Sequence, residues 1–182
     1  MRFFVCLILP CLLFACADLE KSSQLKRVNS LVEHADSLLI VLNQINDSQL
    51  SRVVDENNKL LSRLKLCASD DTLLETEARF VDKYTYWISK LSSLKIRIEK
   101  LKSTIDEQKR TIHNLQKDIE KVAGKRDLYN ENLSFEGKKI NQIEKEINSI
   151  KTKKIDFLNK IATFKIKIRE LIQKLESKQI TK

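Results

Sequence analysis

Cys16 is the residue in this sequence whose type and position best suit covalent chemistry. It closes a stretch that begins with the basic Arg2 and continues as an uncharged apolar run over residues 3–15. Such a run is typical of an export signal, and it is shorter than the roughly 20 apolar residues that a membrane-spanning helix needs. The thiol therefore lies where an exported chain is cut and modified.

The segment Leu13-Phe14-Ala15-Cys16 resembles the lipobox of bacterial lipoproteins. The resemblance implies that the Cys16 thiol receives a diacylglyceryl group, that the chain is cut before this residue and that the new amino terminus is acylated. We therefore predict a signal peptide over 1–15, followed by the lipidated cysteine and a short tether over 16–21. Ordinary signal-peptidase cleavage is the alternative, because Ala15-Cys16-Ala17 also fits the small-x-small pattern.

No residue pattern indicates catalysis, a metal or a cofactor. His34 and His113 are isolated, the two glycines form no phosphate-binding loop, and no group of cysteines and histidines has the spacing of a metal site. We therefore predict a protein that is not an enzyme and binds no cofactor. Cys67 is the one thiol left in a lipidated mature chain. We interpret it as apolar filler near a helix end, with an intermolecular disulfide as the alternative.

Basic residues concentrate toward the carboxyl end. Residues 138–182 carry 13 Lys and Arg against 5 Asp and Glu, whereas residues 18–87 carry 9 against 12. One hypothesis is a solvated face that pairs with acidic neighbours. The other is a surface for an anionic ligand, such as a glycosaminoglycan, a lipid headgroup or a polyanionic polymer. Nucleic acid is not expected for an exported chain. Lys154 falls at a core position, so the candidate surface comprises Lys151, Lys153, Lys165, Lys167 and Arg169.

Long helices must position these charges, and the composition favours them, because 182 residues include only two Gly and one Pro. A heptad pattern is clearest from Leu91 to Val122 and resumes over Ile140 to Leu175. Before Leu91 it continues backward through the aromatic residues Trp87, Tyr84 and Phe80, which we interpret as core, with a partner-binding patch as the alternative. Ile at a with Leu at d is typical of a coiled-coil seam and favours two-stranded packing, so a homodimer is one expectation. The a and d positions of the first stretch are Leu91, Leu94, Ile98, Leu101, Ile105, Gln108, Ile112, Leu115, Ile119 and Val122.

Two interruptions divide the helical pattern. Ser69-Asp70-Asp71 predicts a turn, and Thr72 with Glu75 predicts a capping box that opens the next helix. The seam is lost again where charged Arg126 and Glu136 occupy core positions, which predicts a turn near 130–137. We expect an all-α fold, an elongated antiparallel three-helix bundle or coiled-coil hairpin, in a single domain over 22–182. One continuous rod is the alternative. The predicted helices are 22–66, 72–129 and 137–179.

The lipobox-like segment followed by a Lys-rich, Pro-poor helical body resembles the surface lipoproteins of spirochaetes, particularly those of the Lyme group. This resemblance implies an outer-membrane protein, held by its lipid, whose bundle binds a host or envelope ligand. The basic third helix is the candidate surface for that ligand, which could be a host protein or a polyanion. A periplasmic structural or scaffolding coiled coil, including one that assists lysis, is the alternative function.

Overall fold

The computed structural model is all-α, as predicted. It describes the backbone of residues 5–45, 48–68 and 73–180, and the side chains of residues 19–45, 50–68 and 73–179. Within these ranges there is no strand. The described ranges contain four α-helices, with a short 3-10 turn at Arg126–Leu128 before the last of them. They are α1 (Val5–Ile45), α2 (Ser48–Cys67), α3 (Glu75–Lys121) and α4 (Tyr129–Ile180).

The chain divides into two compact units. Unit 1 consists of Met1–Val41 with Leu101–Glu146, and unit 2 of Leu42–Lys100 with Ile147–Lys182. Each unit therefore combines one stretch from the first two helices with part of α3 and part of α4. Each is built from stretches of the chain that are far apart in the sequence.

Unit 1 packs α1 against the second half of α3 and the first half of α4. Contacts between α1 and α3 run in opposite directions, since Lys21 Nζ donates to the Glu120 carbonyl at 2.8 Å while Asp36 forms an ion pair with Lys109. Contacts between α1 and α4 run in the same direction, since Arg27 donates to Asn130 Oδ1 at 3.2 Å and His34 lies 3.4 Å from Glu144 further along both helices. The result is a three-helix bundle in which α3 and α4 are antiparallel.

Unit 2 repeats this arrangement with α2 in place of α1. Ring contacts between α3 and α4 again run antiparallel: the centroids of Phe80 and Phe164 lie 6.5 Å apart, and those of Trp87 and Phe157 lie 5.6 Å apart. On the other side, Arg63 of α2 donates to both carboxylate oxygens of Glu176 at 2.8 and 2.9 Å. The four rings are partly buried and border the interior of unit 2, in which Tyr84 is the fully buried aromatic residue.

The heptad seam is the core of both units. Every a and d residue of the first stretch from Leu91 to Ile119 is buried, including the polar Gln108. This periodicity was enough to predict the core, because a repeat of seven keeps one stripe of a helix against its neighbours. The buried seam residues of α4 are Ile140, Ile143, Ile147, Ile150, Ile161, Ile168, Leu171 and Leu175.

The start predicted for the first helix, at residue 22, is wrong, because α1 already runs from Val5. The rest of the predicted helix 22–66 is described as α1 to Ile45 and α2 from Ser48 to Cys67. Residues 46 and 47 between them lie outside the described residues.

The turn predicted near 130–137 is also misplaced, and so are the helix bounds 72–129 and 137–179. The middle helix ends at Lys121, and the last one begins at Tyr129. Positive φ values occur at Val122 (55°) and Gly124 (80°), which reverse the backbone between the two helices. The Tyr129 hydroxyl lies against the carbonyls of Asp118 and Ala123 and so ties the turn to the end of α3.

The amino terminus of α3 is capped at a different place from the one predicted. The helix begins at Glu75, and the backbone N–H of Leu74 donates to Oε2 of Glu77 at 2.9 Å. Glu77, at the third helical position, thus makes the side-chain-to-backbone bond that was assigned to Glu75, and the apolar Leu74 side chain makes no reciprocal bond, so only half of a capping box is present. Thr72, the other half of the predicted box, lies outside the described residues.

Candidate anionic-ligand surface

The five residues predicted to form one anionic-ligand surface do not share a face of α4. Residues two apart on a helix point about 200° apart, so Lys151 and Lys153 lie on nearly opposite sides. Lys151 and Arg169, which are eighteen residues apart, return to the same side after about five turns. The predicted set therefore divides between the flank of α4 that faces α2 and the flank that faces α3.

The flank facing α2 is engaged within the bundle. Lys165 Nζ lies 3.7 Å from Oε2 of Glu56, and Lys154 Nζ donates to the Ile45 carbonyl at 2.8 Å. Lys165 thus joins α4 to α2, and Lys154 joins it to the end of α1. This part of the basic segment thus fits the hypothesis of a charged face that pairs with acidic and polar neighbours.

The flank facing α3 carries a regular row of lysines. Lys153, Lys160, Lys167 and Lys174 are spaced by seven residues, which is about two turns and about 10 Å per step. Lys167 Nζ lies 4.2 Å from the centroid of the Phe80 ring, and Lys174 donates to Glu77 at 2.7 Å. The row therefore lies along the junction of α4 with α3.

A second row on α3 faces the first. Lys83 and Lys90 are also seven residues apart, and both side chains are exposed. Lys83 lines the same surface depression as Lys160. The Trp87–Phe157 contact sets the register of the antiparallel pair and places Lys90 level with Lys153. Like charges consequently meet where antiparallel helices usually place opposite ones.

Aromatic rings form the floor between the two rows. The depression has a volume of about 470 Å³ and is lined by Asp82, Lys83, Tyr86, Trp87, Lys160 and Phe164. Tyr86 is 51% exposed, and its ring meets Trp87 edge-on, with centroids 5.0 Å apart and planes at 77°. Lys90 Nζ lies 5.1 Å from the centroid of Tyr86. We call this surface the basic-aromatic edge; it comprises Lys83, Tyr86, Trp87, Lys90, Lys153, Lys160 and Lys167.

Sequence reasoning missed most of this edge. Of its seven residues only Lys153 and Lys167 were in the predicted set, and Trp87 was assigned to the core together with Phe80 and Tyr84. Tyr84 is indeed fully buried, whereas Trp87 and Phe80 are partly exposed. The seven-residue spacing of the lysines was present in the sequence and is the signal that could have found the rows.

Unit 1 has a larger groove, of about 540 Å³, but its polar groups are bonded to one another. Lys109 in its wall is paired with Asp36, and His113 Nδ1 lies 3.2 Å from Oε1 of Gln116. The Gln116 amide in turn donates to Asn29 at 3.2 Å. The groove is lined by two basic side chains, Lys109 and Arg110, and one carboxylate, Glu33, and its lining lacks the phenol and indole rings found in the unit 2 depression.

Cys67 is a buried free thiol at the end of α2. Burial raises the pKa of this thiol, and the carboxylate of Glu176, 3.6 Å from Sγ, raises it further. The neutral thiol is therefore favoured. No group of three or more His, Cys, Asp or Glu side chains in the described part of the chain could hold a metal ion.

The predicted lipidation site cannot be placed in this geometry. Cys16 lies in α1, but its side chain is outside the described ones. Among the described residues, no helix is both long and apolar enough to cross a membrane. Neither a protein-family model, nor a curated protein, nor a solved structure matches this chain.

Proposed function

We propose that the chain is a lipid-anchored protein of the bacterial envelope that carries out no catalysis and binds an anionic ligand at the basic-aromatic edge. The observation that carries this proposal is the meeting of two lysine rows across one helix junction in unit 2. Asp82 is the one carboxylate among the residues that line the depression between them.

The energetic argument concerns like charges. Two ammonium groups about 8 Å apart repel by about 0.5 kcal/mol in water. This repulsion opposes the packing of α3 against α4, whereas a glutamate in one of the two rows would attract the lysine that faces it. An anion that binds between the rows turns that repulsion into charge-assisted hydrogen bonds. The edge is thus better suited to a ligand than to holding the bundle together.

Binding and its salt dependence test the ligand part of the proposal. Retention of the protein on immobilised heparin should fall steeply with salt, because exposed charges are screened over about 8 Å at physiological ionic strength. The double variant Lys153→Gln/Lys160→Gln should lose most of this retention. Lys151→Gln/Arg169→Gln removes the same charge from the other flank and should retain it. Equal losses in both variants, or salt-independent retention, would contradict binding at the edge.

Anchoring is tested separately. The pattern Leu13-Phe14-Ala15-Cys16 supports lipidation at Cys16. A labelled fatty acid should enter the wild-type protein in growing cells and should not enter Cys16→Ala. A mature amino terminus at Asp18 without lipid would refute the anchor. Protease treatment of intact cells then distinguishes outer-membrane surface display, in which the protein is lost, from a location inside the envelope.

A structural coiled coil remains the second candidate function. It is favoured by the long internal seam and by ion pairs such as Arg63–Glu176 that join the helices. Periplasmic scaffolding or assistance to lysis would need no free ligand surface. A homodimer would have to use residues outside the seam, because the seam residues are already buried within the chain.

A further inference from the structure

We propose that the depression in the basic-aromatic edge binds a sugar ring of an anionic polysaccharide. This inference rests on the proposed function, because it names the ligand class of the same surface. Three chemical features meet in the depression: aromatic rings, two flanking ammonium groups and one carboxylate. Each matches a different part of a charged sugar.

The aromatic floor suits the apolar face of a sugar ring. Tyr86 is half-exposed, and Trp87 meets it edge-on, so their rings form a corner that opens to solvent. Sugar rings present C–H groups on their faces, and aromatic surfaces bury such groups from water favourably. A volume of about 470 Å³ admits one or two rings, since ligand pockets typically measure about 300–1,000 Å³.

The carboxylate of Asp82 adds a hydrogen-bond acceptor, which a site for a simple anion would lack. An ionised carboxylate only accepts hydrogen bonds, so it can bind hydroxyl groups. It would repel a phosphate or sulfate placed directly against it. A ligand that carries both hydroxyls and anionic groups satisfies Asp82 together with Lys83 and Lys160. A polyphosphate chain has no hydroxyl to offer along its length.

The lysine rows extend beyond the depression and require a polymer. Lys167 lies seven residues beyond Lys160, and Lys153 lies seven residues before it, so each is about 10 Å along the helix from the bound ring. Anionic groups on neighbouring sugars of one chain reach these positions. The edge therefore fits an extended polysaccharide of several rings more closely than a single sugar.

A lipid surface fits the same residues less well. Aromatic residues that enter a bilayer interface must be free to insert, but Trp87 and Phe164 are packed against Phe157 and Phe80 on the neighbouring helix. Asp82 would also face the negative headgroups, which repel it. We therefore assign the depression to a saccharide and treat vesicle binding as a competing outcome.

Trp87 provides the measurement, because it is the only tryptophan in the chain. Its fluorescence is followed in the full-length protein during titration with a heparin hexasaccharide, with polyphosphate of equal total charge and with vesicles of phosphatidylcholine and phosphatidylglycerol. The hexasaccharide should change the emission and bind about tenfold more tightly than polyphosphate, which corresponds to about 1.4 kcal/mol. Hyaluronan oligosaccharides then show whether carboxylate groups can replace sulfate.

Two variants separate the sugar contacts from the charges. Tyr86→Ala should weaken hexasaccharide binding about fivefold and leave polyphosphate binding unchanged. Asp82→Asn should weaken hexasaccharide binding relative to polyphosphate binding, which should become tighter because the carboxylate that repels phosphate is removed. Both side chains are exposed, so circular dichroism should remain helical. Lys151→Gln/Arg169→Gln is the control for charge outside the edge and should bind both probes normally.

Each remaining outcome decides one of the two proposals. Equal binding of hexasaccharide and polyphosphate, with neither affected by Tyr86→Ala, would overturn the sugar site and leave the anionic-ligand function standing. Vesicle binding with a blue shift of Trp87, tighter than binding of the hexasaccharide, would overturn it in favour of a membrane. Failure of all three probes to bind in low salt would overturn both proposals.

Discussion

The side-chain amide of Gln108 donates a hydrogen bond to Oε2 of Glu136 inside unit 1, and both residues are almost fully buried. Both occupy core positions of the heptad, on the antiparallel helices α3 and α4. Lys139, 3.4 Å from the other carboxylate oxygen, provides a nearby positive charge. Glu136, which interrupts the apolar seam of α4, thus has its hydrogen-bond partner, Gln108, at the same layer of the core on α3.

Replacing one member of the Gln108–Glu136 pair should lower the free energy of unfolding more than replacing both. Glu136→Leu leaves the Gln108 amide buried without an acceptor, and we expect a loss of about 1–3 kcal/mol in the free energy of unfolding. In the double variant Gln108→Leu/Glu136→Leu the layer is apolar, and stability should return to the wild-type value or exceed it. Urea denaturation measures both. A double variant as unstable as the sum of the single ones would refute this account.

Glu77 predicts a pH dependence in acid. Hydrogen bonds from Lys174 and from the Leu74 backbone lower the pKa of this carboxyl below its usual 4.5. The folded protein therefore binds the proton less readily than the unfolded chain, so the stabilisation is present above pH 4.5 and is lost as pH falls below it. Glu77→Gln should lower the thermal midpoint at pH 7. The difference in midpoint between this variant and the wild type should shrink as the pH falls below 4.5.

The matched control for Glu77 is Glu75→Gln. Glu75 lies in the same first turn but pairs only with Arg79 of its own helix, and both side chains are largely exposed. This control should leave stability within about 0.5 kcal/mol of the wild type. A gap between wild type and Glu77→Gln that stays constant from pH 7 to pH 3 would disprove the role given to the ionised carboxylate.

Tyr84 predicts a second pH dependence, in alkali. Burial raises the pKa of its hydroxyl to about 12, and the hydroxyl donates to Oδ1 of Asn57. The folded protein holds the proton more tightly than the unfolded chain, whose tyrosine titrates near pH 10. This contribution to stability is complete below pH 10 and is lost as pH rises toward 12.

Tyr84→Phe isolates that contribution. The variant should be less stable at pH 7 by about 1 kcal/mol, because the buried Asn57 carbonyl oxygen loses its donor. Its stability should also fall less than that of the wild type between pH 10 and pH 12. Tyr86→Phe, at a half-exposed position, serves as the comparison. Parallel stability curves for the wild type and Tyr84→Phe across this range would show that the Tyr84 proton is not involved.

The lysine rows predict that a substitution that weakens binding of the anionic ligand can raise the stability of the folded protein. Lys160→Glu converts a repulsion with Lys83 into an attraction, so the thermal midpoint should rise slightly, by the equivalent of about 1 kcal/mol. The gain should shrink in high salt, where the charges are screened. Heparin retention should fall in the same variant. A lower midpoint with unchanged helicity would show that Lys160 serves the bundle.

The seam was predictable because its cause is local to each helix. Residues such as Ile98, Ile105 and Ile112 recur every seven positions, and any arrangement that buries one of them buries the others. The turn before α4 was not predictable in the same way. It depends on a positive φ at Val122, which a β-branched residue rarely adopts and which its sequence neighbours do not indicate.

Gly137 and Glu136 were misleading for a related reason. A glycine beside a charged core residue looks like a helix break, yet both lie inside α4. Gln108, 28 residues earlier, donates a hydrogen bond to the buried Glu136 carboxylate. Leu31 Cδ2 lies 3.6 Å from the position that a β-carbon on Gly137 would take. Partners this distant in the sequence are visible only once the helices are paired.

The candidate surface was only partly predictable because charge density along a sequence ignores direction around the helix. Lys151 and Lys153 are neighbours in the sequence, yet they lie on opposite flanks of α4. Lys83 and Lys160 are distant in the sequence but share one depression. Their proximity depends on the register between α3 and α4, which the ring contacts of Trp87 and Phe80 set.

The composition of the two units also sets an order in which the protein can be made. A ribosome has supplied every part of unit 1 once Glu146 has been synthesised, but unit 2 waits for the residues from Ile147 onward. Until then the apolar stripe of α2 and the rings of Phe80 and Trp87 have no α4 to cover them. Exposed apolar surface of this kind is what chaperones bind and what aggregates form from. Unit 2 is therefore the part of the nascent chain whose apolar surface stays uncovered for longer.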